Sequence, residues 1–382
     1  MKLKKKSIKR IVFFVGYGIE KDGHRGVCGP EKRFLQTCQI IDSQSIFPIV
    51  IYPHYGRLIK DFEQLHQQKK IYLSGYTPKN RKDFFKIVYK TIKLFSPHAI
   101  HCQGPHLFDA IAVLLGKLFK IKIIITRPVN ISQDHLSKIK KRILLAVDQL
   151  VIRHANHLIA ISDTHKTQWT KELTAFSLQN NFNKIQVVYN GIHLNEFFVY
   201  SNRPAPCPVV FTISAQLTPV KGHKLLLEVA HKLYEAGCQF YLNILGDGPL
   251  KFELEKIADE LNITTIVRFH GHLSKIVHVL EKTHVVVLPS LREGLSLALL
   301  EGMAMGCPLI ASNVGASKEL IDNGENGFLI RKNNSLDLFI AMKWFIDHPS
   351  SIQKMGKKSL LKVKKFDIYK MVDNYKNIYL LD

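Results

Sequence analysis

Short apolar runs and longer amphipathic stretches alternate along this chain, and the alternation itself predicts a fold class. The clearest run is 285–288, Val-Val-Val-Leu, β-branched and without polar alternation, as in a parallel strand covered on both faces. Pro289 and Ser290 stop it, 295–305 reads as a helix, Gly306-Cys307-Pro308 closes that helix, and 309–311 reads as the next strand. This is one β-α-β unit. Further strands are expected at 11–15, 47–52, 99–104, 121–126, 157–162, 185–192, 209–214, 241–245 and 266–271. Helices are expected at 31–41, at 81–95 with an apolar stripe at 84, 88, 92 and 95 among lysines, at 138–153, and in the lysine-rich stretch 351–382.

Length divides this pattern into domains. At 382 residues the chain is long for one core. Pro204, Pro206 and Pro208 stiffen a connection, so we expect domains at 1–200 and 201–350, with a helical tail at 351–382. An apolar content of 46% with 22% charged residues excludes a disordered chain. No run reaches the roughly 18 apolar residues of a membrane-spanning helix, and 11–15 is too short for a signal peptide. The six cysteines show neither zinc-finger nor disulfide-framework spacing, which points to a reducing, cytoplasmic setting.

Charge changes the picture more. Residues 1–200 carry 32 Lys+Arg against 13 Asp+Glu, 201–350 carry 14 against 15, and 351–382 carry 8 against 3. Nearly all of the net +23 therefore belongs to particular surfaces. An anionic membrane surface is the expected partner, reached without any spanning helix. No RNA-binding aromatic signature or recognition-helix pattern accompanies the lysines, so nucleic acid is not expected.

The candidate chemistry lies in the β-α-β unit. Glu293 sits in the loop after the strand at 285–288, and Glu301 lies eight residues on, a little over two helical turns, so both can face one side. Between them Gly294, Leu295, Ser296 and Leu297 bring N–H groups to a helix N-terminus, a ready anion site. Carboxylates beside an anion site repel the anion unless they accept hydrogen bonds from hydroxyls. A phosphorylated ligand that also carries sugar hydroxyls meets both conditions.

The string Pro-Ser-x-x-Glu-Gly-x-x-Leu-x-x-Leu-Glu-Gly-Met-Ala-x-Gly-x-Pro at 289–308 resembles the donor-site signature of family 4 retaining glycosyltransferases, which use nucleotide sugars. The resemblance implies the α/β GT-B architecture, two Rossmann-like doubly wound parallel-sheet domains facing a central cleft. It implies an acceptor-side first domain, a donor-binding second domain, and a tail at 351–382 that crosses back to the first domain and adds its charge to the basic half. It also implies transfer with retention and without a metal or other cofactor, the nucleotide diphosphate sugar being a co-substrate. No Asp-x-Asp motif appears. The expected acceptor is a cell-envelope glycan, lipopolysaccharide or glycolipid.

Carried over residue by residue, Lys221 in Gln216-Leu217-Thr218-Pro219-Val220-Lys221-Gly222 matches the lysine that holds the diphosphate, and Gln216 stands where relatives have an arginine. Glu301 would accept from the ribose hydroxyls, Glu293 would face the sugar, and Arg268 would border the base. Gly29, in Cys28-Gly29-Pro30-Glu31, either lets the backbone approach the donor's phosphates or serves only the turn. Many relatives place a histidine just after the strand at 121–126; here the chain reads Thr126-Arg127-Pro128-Val129-Asn130. Arg127 and His101 are the nearest candidates for polar roles there, a structural role for His101 being the alternative. With Lys221 and Glu293 they complete the candidate catalytic set. Two other functions remain on the same fold: an inactive basic protein that binds membrane or nucleic acid, and a sugar-nucleotide epimerase, told apart by its product.

Overall fold

The computed structural model describes residues 8–14, 29–54, 58–77, 80–104, 107–127, 138–197, 207–273 and 275–381. They form two compact units, one of residues 1–190 with 369–382 and the other of residues 191–368.

The first unit is built on a parallel sheet of β1 (Lys9–Phe14), β2 (Ile46–Pro53), β3 (Tyr72–Tyr76), β4 (Ala99–Cys102), β5 (Lys122–Thr126), β6 (His157–Ala160) and β7 (Ile185–Val187). Their spatial order is β3-β2-β1-β4-β5-β6-β7. The order turns back between β1 and β4, the arrangement that opens a crevice at the carboxyl ends of the strands. Side chains alternate across the sheet. Val12, Phe14, Ile100, Cys102, Ile123 and Ile125 face one core, packed against helices that include Arg81–Phe95 and Leu107–Leu118. Phe13 and His101 face the other side, where they meet Phe34 of helix Gly29–Ile40 and Tyr379 of the last helix, Ile368–Leu380.

Helix Arg81–Phe95 has the expected bounds for local reasons. Asn80 caps it by accepting from Asp83 N at 3.0 Å, Phe84, Val88 and Ile92 are buried, and Ser96 ends it in the left-handed region.

The second unit has a parallel sheet of β8 (Val209–Ser214), β9 (Phe240–Leu245), β10 (Val267–Gly271), β11 (Val285–Leu288), β12 (Leu309–Ser312) and β13 (Gly327–Ile330), in the order β10-β9-β8-β11-β12-β13. Every residue of β11 and β12 is buried, as their unbroken apolar runs require. The helix between them spans Leu297–Ala304, shorter than 295–305, because Ser296 is its cap and accepts from Leu299 N.

The division differs from the expected one at 200 and 351. Pro204 and Pro206 lie outside the described residues. Ile192 N donates to Phe366 O at 3.0 Å and Ile368 N to Ile192 O at 2.9 Å, which fastens the start of the second unit to its end. Helix Ser351–Val363 packs on helix Leu297–Ala304. The tail's charge moves with it. Residues 351–368 carry six lysines and one aspartate, whereas 369–382 carry two lysines and two aspartates, so the tail's excess stays on the second unit. The first unit then holds 34 Lys+Arg against 14 Asp+Glu and the second 20 against 17, so the asymmetry persists. Among the described residues no helix is long and apolar enough to cross a membrane.

Candidate functional site

Two loops at the carboxyl ends of the neighbouring strands β8 and β11 build the site in the second unit. The loop after β8 carries an exposed Gln216, a buried Leu217 and a single 3₁₀ turn, Pro219–Lys221. Gly222 follows with φ +75°, and a Cβ there would sit 2.2 Å from Pro289 O. Only glycine allows both the left-handed backbone and that approach. Leu291 N donates to Val220 O at 2.7 Å and locks the loops together. On the other flank Ala316 N donates to Gly294 O at 3.0 Å, and Gly315, at φ +55°, lies against the carbonyl of Glu293.

This backbone frame brings Lys221 and Glu293 into one ion pair, Nζ to Oε1 at 2.7 Å. Ser290 Oγ donates to the same oxygen, also at 2.7 Å. The Glu293 side chain is 8% exposed and that of Lys221 27%, so the carboxylate is the buried anchor and the ammonium the reachable end. The motif implies separate duties for these two residues; the structure joins them. A lysine so held keeps its charge in a fixed place while its remaining N–H donors stay available to an oxyanion.

The other expected donor residues are distributed around this pair. Leu295 and Ser296 are buried, Gly294 and Leu297 are half-buried, and Ser296 Oγ takes Leu299 N, so the helix uses part of its own N-terminal donor set. Glu301 is half-buried on helix Leu297–Ala304. Arg268 is exposed on β10, the edge strand two places from β8.

One residue of the loop carries no motif signal of its own. His223 follows Gly222 directly, is 1% exposed, and neither ring nitrogen has a hydrogen-bond partner. Burial, and secondarily the charge of Lys221, brings its pKa down to about 4, so the ring is neutral at pH 7. Its place beside Lys221 and Gly222 is the one feature of the sequence that could have marked it.

In the first unit the two catalytic candidates, His101 and Arg127, have internal partners. His101 is fully buried, with Nδ1 2.7 Å from Tyr379 Oη and Nε2 2.8 Å from Thr126 Oγ1. Both nitrogens are satisfied, and burial together with the charge of Arg33 holds its pKa well below the usual range. Arg127 is 8% exposed, with Nη2 2.9 Å from Asp148 and Nη1 2.7 Å from Glu172, over the face of Trp169. It is a buried bridge between helices Lys138–His154 and Asp163–Ala175. Burial, and then Glu172, raises the Asp148 pKa although Arg127 opposes the shift. Gly29 opens helix Gly29–Ile40; Cys28, Pro128, Val129 and Asn130 lie outside the described residues.

Comparison with known proteins finds two family matches that part near residue 200. The family described as Glycosyltransferase Family 4 matches residues 28–196, and Glycosyl transferases group 1 matches residues 201–361. An uncharacterized glycosyltransferase of Haemophilus influenzae is 24% identical over 327 residues, covering 84% of this chain and 88% of the relative. The Escherichia coli UDP-Gal:alpha-D-GlcNAc-diphosphoundecaprenol alpha-1,3-galactosyltransferase is 30% identical over 223 residues, covering 55% of this chain and 57% of that protein. The crystal structure of Anabaena HepE in complex with UDP-glucose superposes with a TM-score of 0.76 at 18% identity, covering 97% of this chain and 100% of the other. Two parallel-sheet α/β units, the motif at 289–308 and two family matches that succeed one another along the chain make this protein a glycosyltransferase of the family 4, group 1 type with the GT-B fold.

Proposed function

We propose that the chain transfers a sugar from a nucleotide diphosphate sugar, held on the second unit, to a cell-envelope glycan or glycolipid, with retention at the anomeric carbon. The observation that carries this reading is the Lys221–Glu293 pair at the ends of β8 and β11, fixed by Gly222 and Ser290. Lys221 stabilises the negative charge that develops on the leaving diphosphate, and because its position is already fixed, little reorganisation accompanies that step. Glu293 faces the sugar and Glu301 accepts from ribose hydroxyls. The bond from the anomeric carbon to the diphosphate oxygen breaks as the acceptor oxygen bonds on the same face, and the departing phosphate takes the acceptor's proton. Neither carboxylate acts as a glycosidase-like nucleophile.

The reading needs no metal and no other cofactor, because lysine and N–H donors supply the charge stabilisation a cation would otherwise give. A panel of UDP-, GDP- and ADP-sugars tests donor use by thermal shift and by release of the nucleotide diphosphate. One nucleotide class should raise the melting temperature and be consumed, with EDTA leaving turnover intact. Indifference to every nucleotide sugar, or activity that EDTA abolishes and manganese or magnesium restores, contradicts the reading.

We propose that the chain acts at the cytoplasmic face of a membrane, a reading the first unit's surface supports. Helix Leu107–Leu118 lies between Arg81–Phe95 and Lys138–His154. Phe85, Tyr89, Leu94, Leu118, Ile139 and Ile143 are exposed on these three neighbours. Lys86, Lys90, Lys93, Lys117 and Lys120 are exposed among them. Apolar side chains within a field of lysines suit an anionic lipid surface, to which each cation adds about 1 kcal/mol.

A further inference from the structure

The second unit holds a cavity of about 570 Å³ between helix Ser351–Val363 and the 3₁₀ turn Leu194–Glu196. Ala304, the last residue of helix Leu297–Ala304, contributes to its lining, so the cavity sits at the opposite end of that helix from Glu293 and the donor loop. Its walls are held by main chain. Gly356 packs so closely that a Cβ there would collide with the Gly306 carbonyl oxygen, which sets helix Ser351–Val363 against the end of its neighbour. On the other side Phe197 N donates to Leu194 O at 3.1 Å, and the bonds of Ile192 with Phe366 and Ile368 anchor that turn. A cavity framed in this way is preformed, and its volume falls within the roughly 300–1,000 Å³ of small-molecule sites.

The lining is apolar except for two lysines. Leu194, Phe197 and Leu360 are half-buried and Leu361 is 66% exposed, so the apolar wall is open to what approaches it. Lys357 and Lys364 are exposed and lie two helical turns apart, on the face that carries Leu360 and Leu361. No carboxylate of the described residues lines the cavity; Glu196, exposed on the turn, is not part of the lining. Other lysines of the same helix are matched within the unit, Lys362 by Asp322 at 2.7 Å and Lys358 by Glu325. Lys357 has no such carboxylate among the described residues. The helix lines the cavity only from Lys357 to Lys364, about 10 Å at 1.5 Å per residue, too short a seat for a partner helix of several turns. An extended hydrocarbon chain needs only apolar walls, with a cation where an anionic head group emerges.

We infer that this cavity takes one hydrocarbon chain of an anionic membrane phospholipid, with the head-group phosphate against Lys357. A lysine lays its methylene stem along an apolar wall and keeps its ammonium outward, so one side chain serves both parts of such a lipid. The site belongs to the second unit alone. It rests neither on the glycosyl-transfer reading nor on the surface of the first unit.

Isothermal titration calorimetry of the full chain with dioctanoyl phosphatidylglycerol, kept below the concentration at which it forms micelles, tests this without a membrane. The wild type should bind saturably, at about one lipid per chain, with the negative heat-capacity change of apolar burial. Dihexanoyl phosphatidylglycerol, two methylenes shorter in each chain, should bind about tenfold more weakly. Dioctanoyl phosphatidylcholine should also bind more weakly, and glycerol phosphate should give no heat. Leu361→Glu and Lys357→Glu, both at exposed positions, should each weaken binding by roughly tenfold or more and leave the melting temperature unchanged. Replacing Lys86, Lys90 and Lys93 with glutamate should leave binding as in the wild type; its loss there would move the lipid to the first unit and overturn the proposal. Glycerol phosphate matching the lipid, phosphatidylcholine matching phosphatidylglycerol, or full binding by both cavity variants would each overturn it too. So would a wild type that takes up no lipid, even one that responds to a nucleotide sugar. A wild type that binds the lipid through Leu361 and Lys357 but responds to no nucleotide sugar would contradict glycosyl transfer and leave the lipid site standing.

Discussion

The carboxyl ends of the two sheets use charged residues in opposite ways. In the second unit Lys221 is partly exposed and its partner Glu293 buried, so one end of the pair is offered outward. In the first unit His101 and Arg127 are spent on internal partners. A polar residue at a strand end is thus no guide to function by itself. What separates a site from a core contact is whether the bonding capacity of the side chain is exhausted inside the fold.

The largest expected effect lies in the second unit. Lys221→Ala and Glu301→Ala should each lower nucleotide-sugar turnover by roughly 10- to 100-fold, the loss of a charge-assisted hydrogen bond of about 1.5–3 kcal/mol. Circular dichroism should show both folded; unchanged turnover in either breaks the assignment. His101→Ala supplies the contrast, since it should cost about 2–4 kcal/mol of stability in urea unfolding through a cavity and two lost hydrogen bonds. Its turnover per folded molecule should be near wild type, and a selective loss of turnover would return His101 to the site.

Acidification should weaken both units. The pKa of His165 and of His223 is brought from 6.5 to about 4, in each case first by burial, and His101 lies well below its usual value. The unfolded chain is the stronger base at these positions and binds more protons as pH falls. This stability is fully present above pH 6.5 and is lost toward pH 4, by roughly 3 kcal/mol for each of His165 and His223. A urea midpoint unchanged between pH 7 and 4.5 would show these imidazoles to be solvated.

Smaller effects sharpen the contrast in charge. The protein should pellet with anionic but not zwitterionic vesicles and be released by salt, whose screening length is about 8 Å at physiological ionic strength. Replacing Lys86, Lys90 and Lys93 with glutamate should abolish pelleting while leaving donor-induced thermal shifts intact; pelleting that survives both salt and these changes would refute the surface. The smallest effect is expected from Gln216→Arg. An exposed cation beside the Lys221 loop should tighten donor binding by about threefold, in line with a surface charge contact of up to 1 kcal/mol. Weaker binding would mean that Gln216 makes a contact arginine cannot replace.

The residue pattern alone decided the β-α-β unit at 285–311 and the bounds of Val209–Ser214, Val285–Leu288 and Arg81–Phe95, while the two-sheet architecture and the candidate donor residues came with the family resemblance. These depend on properties local in sequence: unbroken β-branched runs, a helical apolar stripe, a capping Asn80, and the glycine and proline spacing of 289–308. Only the tertiary structure decided that Lys221 and Glu293 share one bond across 72 positions, that His101 is claimed by Tyr379 from 278 positions away, and that Arg33 is buried with Nε and Nη1 unmatched. It also decided that the lysine-rich stretch before residue 369 stays with the second unit. A side chain's hydrogen-bonding capacity can be written down from its type. Whether that capacity is filled depends on groups that folding brings near from distant parts of the chain, and no local pattern records them.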